Sequence, residues 1–124
     1  MGGGGWALTN LTPHSFVLYE GDEVVVNLPP SGRLCRIGEQ RADPISVEIN
    51  GSAAPLIDIV YTDVDDLPTP EPGVLLLVSR VTAQVLSWRD DVVFPLDEVR
   101  NNQGQIVGCR ALGRFADKAS GGRR

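Results

Sequence analysis

The sequence has 124 residues, which is enough for one domain and too few for two domains with separate cores. Its 42% hydrophobic and 22% charged residues are typical of a globular protein and argue against a disordered or membrane class. The net charge of −5 argues against general binding of long DNA or RNA, because such a protein needs a basic face that displaces counterions from the phosphate backbone.

The start of the chain predicts a leader and then a β-hairpin. Residues 1–9, which include four consecutive glycines, are predicted to be a flexible leader before a single domain over residues 10–115. Residues 15–19 and 23–28 are apolar and β-prone on either side of a Gly-Asp pair, a pattern typical of a hairpin.

A second hairpin is predicted in the middle of the chain. Residues 33–37 alternate charged and apolar side chains, which places Leu34 and Cys35 near the core or an interface. Residues 45–49 alternate again before an Asn-Gly pair, a preferred two-residue hairpin turn. Residues 56–61 are expected to supply the returning strand.

An exposed acidic loop is predicted next, over residues 63–73, which hold three prolines and four acidic residues. Residues 74–78 form a continuous aliphatic run that predicts a central strand buried on both faces. Ser79 can then cap a short helix over residues 80–88. The last two strands are predicted over residues 92–96 and 105–112.

These elements together predict an α+β fold: a compact single domain with a mostly antiparallel sheet of about six strands and one short helix. Residues 116–124 are predicted to be a flexible polar tail. Cys35 and Cys109 lie far apart in a chain with no apolar signal segment and no apolar run of bilayer length. We therefore expect reduced thiols in a cytoplasmic protein that binds no membrane.

Few residues suit catalysis. His14 is the sole histidine, and no nucleophile-elbow or metal-ligand motif surrounds it. A dyad of His14 with Cys35 is one alternative, but a histidine that follows proline at the start of a strand is more often a structural hydrogen-bonding group. The acidic loop lacks the glycine and the glutamate of an EF-hand loop. The sequence therefore predicts no catalytic residue, no metal site and no cofactor.

Anion binding is better supported, because ten of the eleven basic residues are arginines, which suit bidentate recognition of phosphate. Ser79 and Arg80 open the predicted helix, where backbone donors and the helix dipole favour a phosphate. Trp88 offers a flat face for a base beside the charge of Arg89. Three further arginines lie at the ends of predicted elements: Arg33, Arg36 and Arg110.

The alternative is that these arginines form ordinary surface ion pairs. Four carboxylates near the predicted helix and the two last strands could accept them: Asp90, Asp91, Asp97 and Glu98.

Eight strings, in this order over residues 10–115, resemble a family of small phage and prophage proteins. They are Asn10-Leu11-Thr12-Pro13-His14, Pro30-Ser31-Gly32-Arg33, Asp66-Leu67-Pro68, Gly73-Val74, Val78-Ser79, Arg89-Asp90-Asp91, Val99-Arg100 and Gly108-Cys109-Arg110-Ala111-Leu112. The pattern is similar to that of the Thoeris anti-defence sponges, β-rich oligomers that sequester cyclic ADP-ribose-type signals and, in some members, cyclic oligonucleotides.

The resemblance implies a homo-oligomer, a dimer or a hexamer, that binds an immune signal in the bacterial host cytoplasm without cleaving it. It implies phosphate contacts from Arg33 and Arg110, a ribose or base contact from Asp91, and stacking of adenine on Trp88 or Phe94.

Two other functions stay open at this stage. One is a protein-interaction module, either a small virion or morphogenesis component or a direct inhibitor of a host protein, with the acidic residues 58–71 as its contact. The other is a small nucleotide hydrolase or lyase, which the shortage of general bases disfavours.

Overall fold

The computed structural model of the chain describes residues 5–116. The start of the predicted leader, residues 1–4, and residues 117–124 of the predicted tail lie outside the described range. Within that range the chain forms one helix and ten strands: β1 (Ala7–Asn10), β2 (Phe16–Glu20), β3 (Glu23–Leu28), β4 (Arg36–Arg41), β5 (Ile45–Ile49), β6 (Ser52–Leu56), β7 (Ile59–Asp65), β8 (Val74–Leu77), α1 (Arg80–Val85), β9 (Val92–Arg100) and β10 (Ile106–Gly113).

The predicted fold class is confirmed: the chain is mostly β-structure with one short helix, and its main sheet has six strands in the order β1-β8-β9-β10-β2-β3. The main sheet is mixed. Its β1–β8, β8–β9 and β10–β2 pairs are parallel, whereas four other strand pairs in the described chain are antiparallel. The parallel β8–β9 pair follows from the connection through α1, because a helical crossover returns the next strand in the same direction.

The first hairpin is confirmed as β2 and β3, but the predicted returning strand of the second hairpin is wrong. Asn50 and Gly51 both have positive φ, 51° and 84°, as a two-residue hairpin turn requires. The partner strand must then begin at the next residue, and β6 (Ser52–Leu56) pairs with β5 in place of residues 56–61. Residues 59–65 form β7 and pair with β4, so the first part of the predicted acidic loop is strand.

The N-terminal boundary also differs from the prediction. β1 begins at Ala7 and pairs in parallel with β8, so the domain starts before residue 10. A four-residue strand with two polar residues carries no alternation that distinguishes it from a loop, and only its pairing with β8 defines it. The helix is shorter than predicted and ends at Val85, and β9 runs on to Arg100.

The core has one hydrophobic cluster on each face of the sheet. One cluster lies under the helix and is built from Leu11, Cys35, Leu76, Val78, Ala83, Leu86, Val92 and Phe94. The other is built from Phe16, Leu77, Val93 and Cys109. Successive residues of β8, Leu76 and Leu77, belong to different clusters, which confirms the prediction of a strand buried on both faces.

The sheet is curled, and its two edge strands meet at one end. The side-chain Nδ2 of Asn10, at the end of β1, donates to the backbone carbonyl of Leu28 at the end of β3 over 3.1 Å. The backbone N–H of Ser31 donates to the carbonyl of Asn10 over 2.9 Å. These bonds hold the Asn-Leu-Thr-Pro-His and Pro-Ser-Gly-Arg strings against each other.

Candidate functional site

A cleft of about 420 Å³ lies beside the start of the helix, where three segments of the chain come together. Backbone bonds set their positions: Leu11 N–H donates to the Leu77 carbonyl over 2.9 Å, and Cys35 N–H donates to the Leu11 carbonyl over 3.0 Å. The lining consists of Leu11, Thr12, Pro13, Leu34, Cys35, Arg36, Ile37, Ser79 and Thr82. Two of the predicted ligand-binding residues, Arg36 and Ser79, therefore share this cleft.

The loop on one side of the cleft is held by Asn10, a polar side chain that is only 1% exposed. Its Nδ2 donates to the carbonyls of His14 (2.8 Å) and Leu28, and its Oδ1 accepts from the N–H (3.0 Å) and the hydroxyl (2.7 Å) of Thr12. All four hydrogen-bonding positions of the amide are thus occupied. The Thr12 hydroxyl has its proton committed to Asn10, so it offers the cleft no free donor.

The side chains of Ser79 and Arg80, which were predicted to open a phosphate site, are engaged within the chain. The Ser79 hydroxyl accepts from the N–H of Thr82 over 3.3 Å and donates to the Thr82 hydroxyl over 2.9 Å, which is the geometry of an N-cap. The guanidinium of Arg80 lies over the rings of Phe94 and Phe115, 5.1 and 5.7 Å from their centroids. The helix has only six residues, and its first-turn side chains are committed to structure.

Arg36 is different, because in the described part of the chain its guanidinium has neither a carboxylate within ion-pair distance nor an aromatic ring beside it. Asp65 is its cross-strand neighbour in the β4–β7 register, yet the two side chains form no ion pair. The cleft therefore has one uncommitted cation beside an apolar wall that includes Pro13, Leu34 and Ile37.

Arg89 and Asp91 bind each other. Two guanidinium nitrogens of Arg89 donate to the two carboxylate oxygens of Asp91, over 2.8 and 2.6 Å, and a further bond reaches the carbonyl of Pro68. The hydrogen bond from Arg89 lowers the pKa of Asp91, and the same bond raises the pKa of Arg89. The alternative that the arginines form ion pairs within the chain is therefore confirmed for Arg89. The pair does not lie on the open surface, however, because its side chains are only 8% and 15% exposed.

Arg33 and Arg110 also have partners within the chain. Neither of them lines the cleft, and they lie apart from each other. Arg33 lies 3.6 Å from a carboxylate oxygen of Asp66, and Arg110 donates to the carbonyl of Gly21 in the β2–β3 turn over 2.7 Å. The eight predicted ligand-binding residues are therefore spread over several places: Arg36 and Ser79 share this cleft, whereas Trp88, Arg89 and Asp91 lie together outside it.

The two predicted stacking residues have opposite environments. Trp88 is 66% exposed and borders a different cleft, of about 470 Å³, with Asp63 and Leu67. Phe94 is buried in the core cluster and stacks on Phe115 with ring centroids 4.8 Å apart. Phe94 does not meet the expectation that it stacks on a base, because its side chain is only 3% exposed.

His14 and Cys35 line separate clefts. His14 borders a cleft of about 450 Å³ together with Glu98 and Cys109, whereas Cys35 borders the cleft of Arg36. Burial raises the pKa of both thiols, and for Cys35 the carboxylate of Asp66 raises it further. A raised thiol pKa leaves little thiolate at neutral pH, which disfavours nucleophilic chemistry at either cysteine.

Sequence reasoning missed the apolar half of the cleft. Pro13, Leu34 and Ile37 come from segments that are distant along the chain, and no local pattern marks them as neighbours. The available signal was the alternation of residues 33–37, which places Leu34 near the core or an interface.

Over residues 5–116, no three histidine, cysteine or acidic side chains are grouped as metal ligands. Over the same residues, no helix has the length and apolar character needed to cross a bilayer.

Comparison with protein-family models, with curated proteins and with solved structures found no match to the chain.

Proposed function

We propose that the chain is a non-catalytic binding protein that sequesters a small anionic nucleotide signal, of the cyclic ADP-ribose-like or cyclic nucleotide class. The observation that carries the proposal is Arg36, an arginine without a carboxylate partner among residues 5–116, on the lining of a cleft of about 420 Å³. A cleft of roughly 300–1,000 Å³ with apolar walls and few polar groups is the usual form of a small-molecule site.

The chemistry of the lining fits the two parts of a nucleotide. The guanidinium of Arg36 can donate two hydrogen bonds to two oxygens of a phosphate. The apolar side chains of Leu34 and Ile37 can pack against a base or against one face of a ribose. Neither Thr12 nor Ser79 has a free hydroxyl proton for the ligand, so Arg36 would supply the main directional contact.

Sequestration without cleavage accords with the residues at the cleft. The cleft lining holds no histidine and no carboxylate that could act as a general base, and the thiol of Cys35 has a raised pKa. A protein that acts by stoichiometric capture needs a dissociation constant below the signal concentration that activates the effector. A location in the cytoplasm of a bacterial host is part of this proposal.

The experiment incubates the purified full chain with a lysate that contains the signal, re-isolates the protein, denatures it by heat and identifies the released molecules by mass spectrometry. Recovery of an intact cyclic or ADP-ribose-derived nucleotide supports the proposal, and recovery of a cleaved product supports the hydrolase alternative. If the protein releases no nucleotide and the signal in the supernatant stays active, both the sequestration proposal and the hydrolase alternative are contradicted.

The site is tested with Arg36→Gln against the matched variant Arg41→Gln, which removes the same charge from the same strand outside the cleft. A charge-assisted hydrogen bond contributes about 1.5–3 kcal/mol, so Arg36→Gln should weaken nucleotide binding roughly ten- to hundredfold. If both variants bind the nucleotide equally well, Arg36 does not contact the nucleotide.

A second candidate function, contact with a basic protein, is supported by exposed carboxylates in the acidic segment of residues 58–71. Asp58, Asp63 and Asp65 are exposed, and none of them forms an ion pair within the described residues. The double variant Asp63→Asn/Asp65→Asn should then lose a host protein that the wild-type chain retains on an affinity column, with nucleotide binding unchanged.

A further inference from the structure

The cleft that Trp88 borders, of about 470 Å³, lies between strand β7 and the end of helix α1, and we call it the Trp88 cleft. Its lining includes Thr62, Asp63 and Val64 from β7, and Val85 from the helix. Asp63 is the only charged residue on this lining in the described chain. The Trp88 cleft therefore combines a carboxylate with an exposed aromatic ring, and its charge is opposite to that of the cleft that holds Arg36.

A β-bulge brings Asp63 to the Trp88 cleft. Thr62, Asp63 and Val64 are consecutive residues of β7, yet all three line the cleft, whereas the side chains of a regular strand alternate between its two faces. The register of β4 with β7 shifts at this point, so the single residue Gly38 lies opposite both Thr62 and Asp63. A Cβ at position 38 would overlap the hydroxyl oxygen of Thr62, so the bulge depends on this glycine.

The carboxylate of Asp63 has no cationic partner among residues 5–116. Arg89 lies beside Trp88, but it does not neutralise Asp63, because its guanidinium is bound to both carboxylate oxygens of Asp91. Asp65, which is exposed and also forms no ion pair in the described chain, adds a second negative charge on the same strand. The local charge therefore repels a phosphate at the Trp88 cleft and attracts a cation.

The rest of the lining suits a long basic side chain. The guanidinium carbon of Arg89 lies 6.0 Å from the centroid of the Trp88 ring, which shows that the ring accepts a guanidinium beside it. Arg89 is only 8% exposed, whereas Trp88 is 66% exposed, so ring surface remains for another cation. Leu67 and Val85 also line the cleft, and such apolar side chains can pack against the methylene stem of an arginine.

We propose that the Trp88 cleft binds one arginine side chain of a basic protein segment, with the guanidinium held by the Asp63 carboxylate and the Trp88 ring. This inference rests on the second candidate function, contact with a basic protein, and it names the side chain of the partner that is recognised. A protein segment is favoured over a free cation, because Asp65 extends the negative surface beyond the cleft lining, where a basic residue next to the arginine can reach it.

The test is an NMR titration of the full chain, which has two tryptophans. The indole N–H signal of Trp88 reports on the cleft, and Trp6→Phe identifies the other indole signal as that of Trp6. The probe is the peptide acetyl-Lys-Arg-Lys-amide, and its matched control of equal charge is acetyl-Lys-Lys-Lys-amide. We expect the arginine peptide to shift the Trp88 signal and to bind roughly two- to fivefold more tightly than the lysine peptide, because a planar guanidinium stacks on an indole ring.

Two variants test the role of the carboxylate. Asp63→Asn should weaken binding of the arginine peptide roughly ten- to hundredfold, because it removes the charge from the hydrogen-bond acceptor. Asp58→Asn removes the same charge from the acidic segment outside the cleft and should change binding by less than about threefold. Asparagine has nearly the size of aspartate, and the remaining signals of each spectrum show whether the variant is folded.

Equal binding of the two peptides, a response at Trp6 in place of Trp88, or equal losses for Asp63→Asn and Asp58→Asn would each overturn the proposal. Agmatine, a free guanidinium, should bind more weakly than the arginine peptide. If it binds as tightly, the cleft takes a small organic cation and the proposed protein segment is overturned. The affinity column tests whether a basic partner exists, whereas the titration tests where an arginine binds, so the candidate function and this site can fail separately.

Discussion

The Nδ2 atom of Asn10 lies 3.1 Å from the carbonyl oxygen of Leu28, and this bond joins the two edge strands of the six-stranded sheet. In the sheet order β1 and β3 are the farthest apart, so the bond holds the sheet in its curled form at this end. One buried side chain thus fixes both the closure of the sheet and the loop that borders the cleft.

We expect Asn10→Ala to lower the free energy of unfolding by about 3 kcal/mol, because it removes the hydrogen bonds that the buried amide makes with partly buried backbone groups of Thr12, His14 and Leu28. Urea unfolding followed by circular dichroism measures the change. The exposed Asn27→Ala is the control and should differ from wild type by less than about 0.5 kcal/mol. A small effect of Asn10→Ala would mean that water molecules take over the hydrogen bonds of the missing amide.

Gly108→Ala should be destabilising although it adds one methyl group. A Cβ at this position would lie 2.6 Å from the Tyr19 ring and 2.7 Å from the carbonyl oxygen of Val17. Overpacking of this kind costs about 1–3 kcal/mol, measurable as a lower midpoint in urea. Gly5→Ala, where no atom lies within 4 Å of the added carbon, should be neutral.

Arg89→Gln should lower the free energy of unfolding by about 3 kcal/mol, because it leaves the largely buried Asp91 carboxylate without its partner. Arg41→Gln, which removes the exposed partner of Glu39, should change stability by less than about 1 kcal/mol. Similar costs for the two variants would show that the Arg89 pair is as weak as a surface pair.

Stability should also fall in acid through Asp91. Its pKa is lowered in the folded protein, so the ion pair contributes fully above the ordinary aspartate pKa of about 4 and is lost as pH falls through the folded value. Unfolding measured from pH 7 to pH 3 should show a shallower decline for Asp91→Asn than for wild type. Parallel curves would assign the acid sensitivity to other carboxylates.

Both native thiols should react slowly with a disulfide reagent at pH 8. Cys35 and Cys109 are buried, and burial raises the pKa of each, so little thiolate is accessible in the folded protein. Addition of denaturant should release two thiols per chain at the rate of unfolding. Rapid labelling of one thiol in the native protein would show that the Cys35 cleft opens to the reagent.

Local patterns predicted the elements whose turn and capping chemistry is explicit. The Asn-Gly turn, the Ser79 cap and the aliphatic run of β8 all have the predicted roles. The pairing of β1 with β8 was not predicted, because a parallel contact between distant segments leaves no periodic trace in a four-residue strand.

The candidate site was predicted only in part, for a related reason. Residue type marked Arg36, Arg89 and Arg110 alike as potential ligands, but the structure shows that Arg89 and Arg110 have partners in the chain itself. Whether an arginine is free to bind a ligand depends on which carboxylate or carbonyl the fold brings beside it. For Arg89 that carboxylate is Asp91, only two residues away along the chain.

The bonds of Asn10 show which positions of the chain serve its backbone and which serve the cleft. Asn10, Ser79, Gly108 and the Arg89–Asp91 pair are all engaged in holding segments of the backbone together. Leu34, Arg36 and Ile37 line the cleft and belong to neither core cluster. Substitutions at these three positions can therefore change which molecule the cleft accepts while the backbone around it keeps its shape.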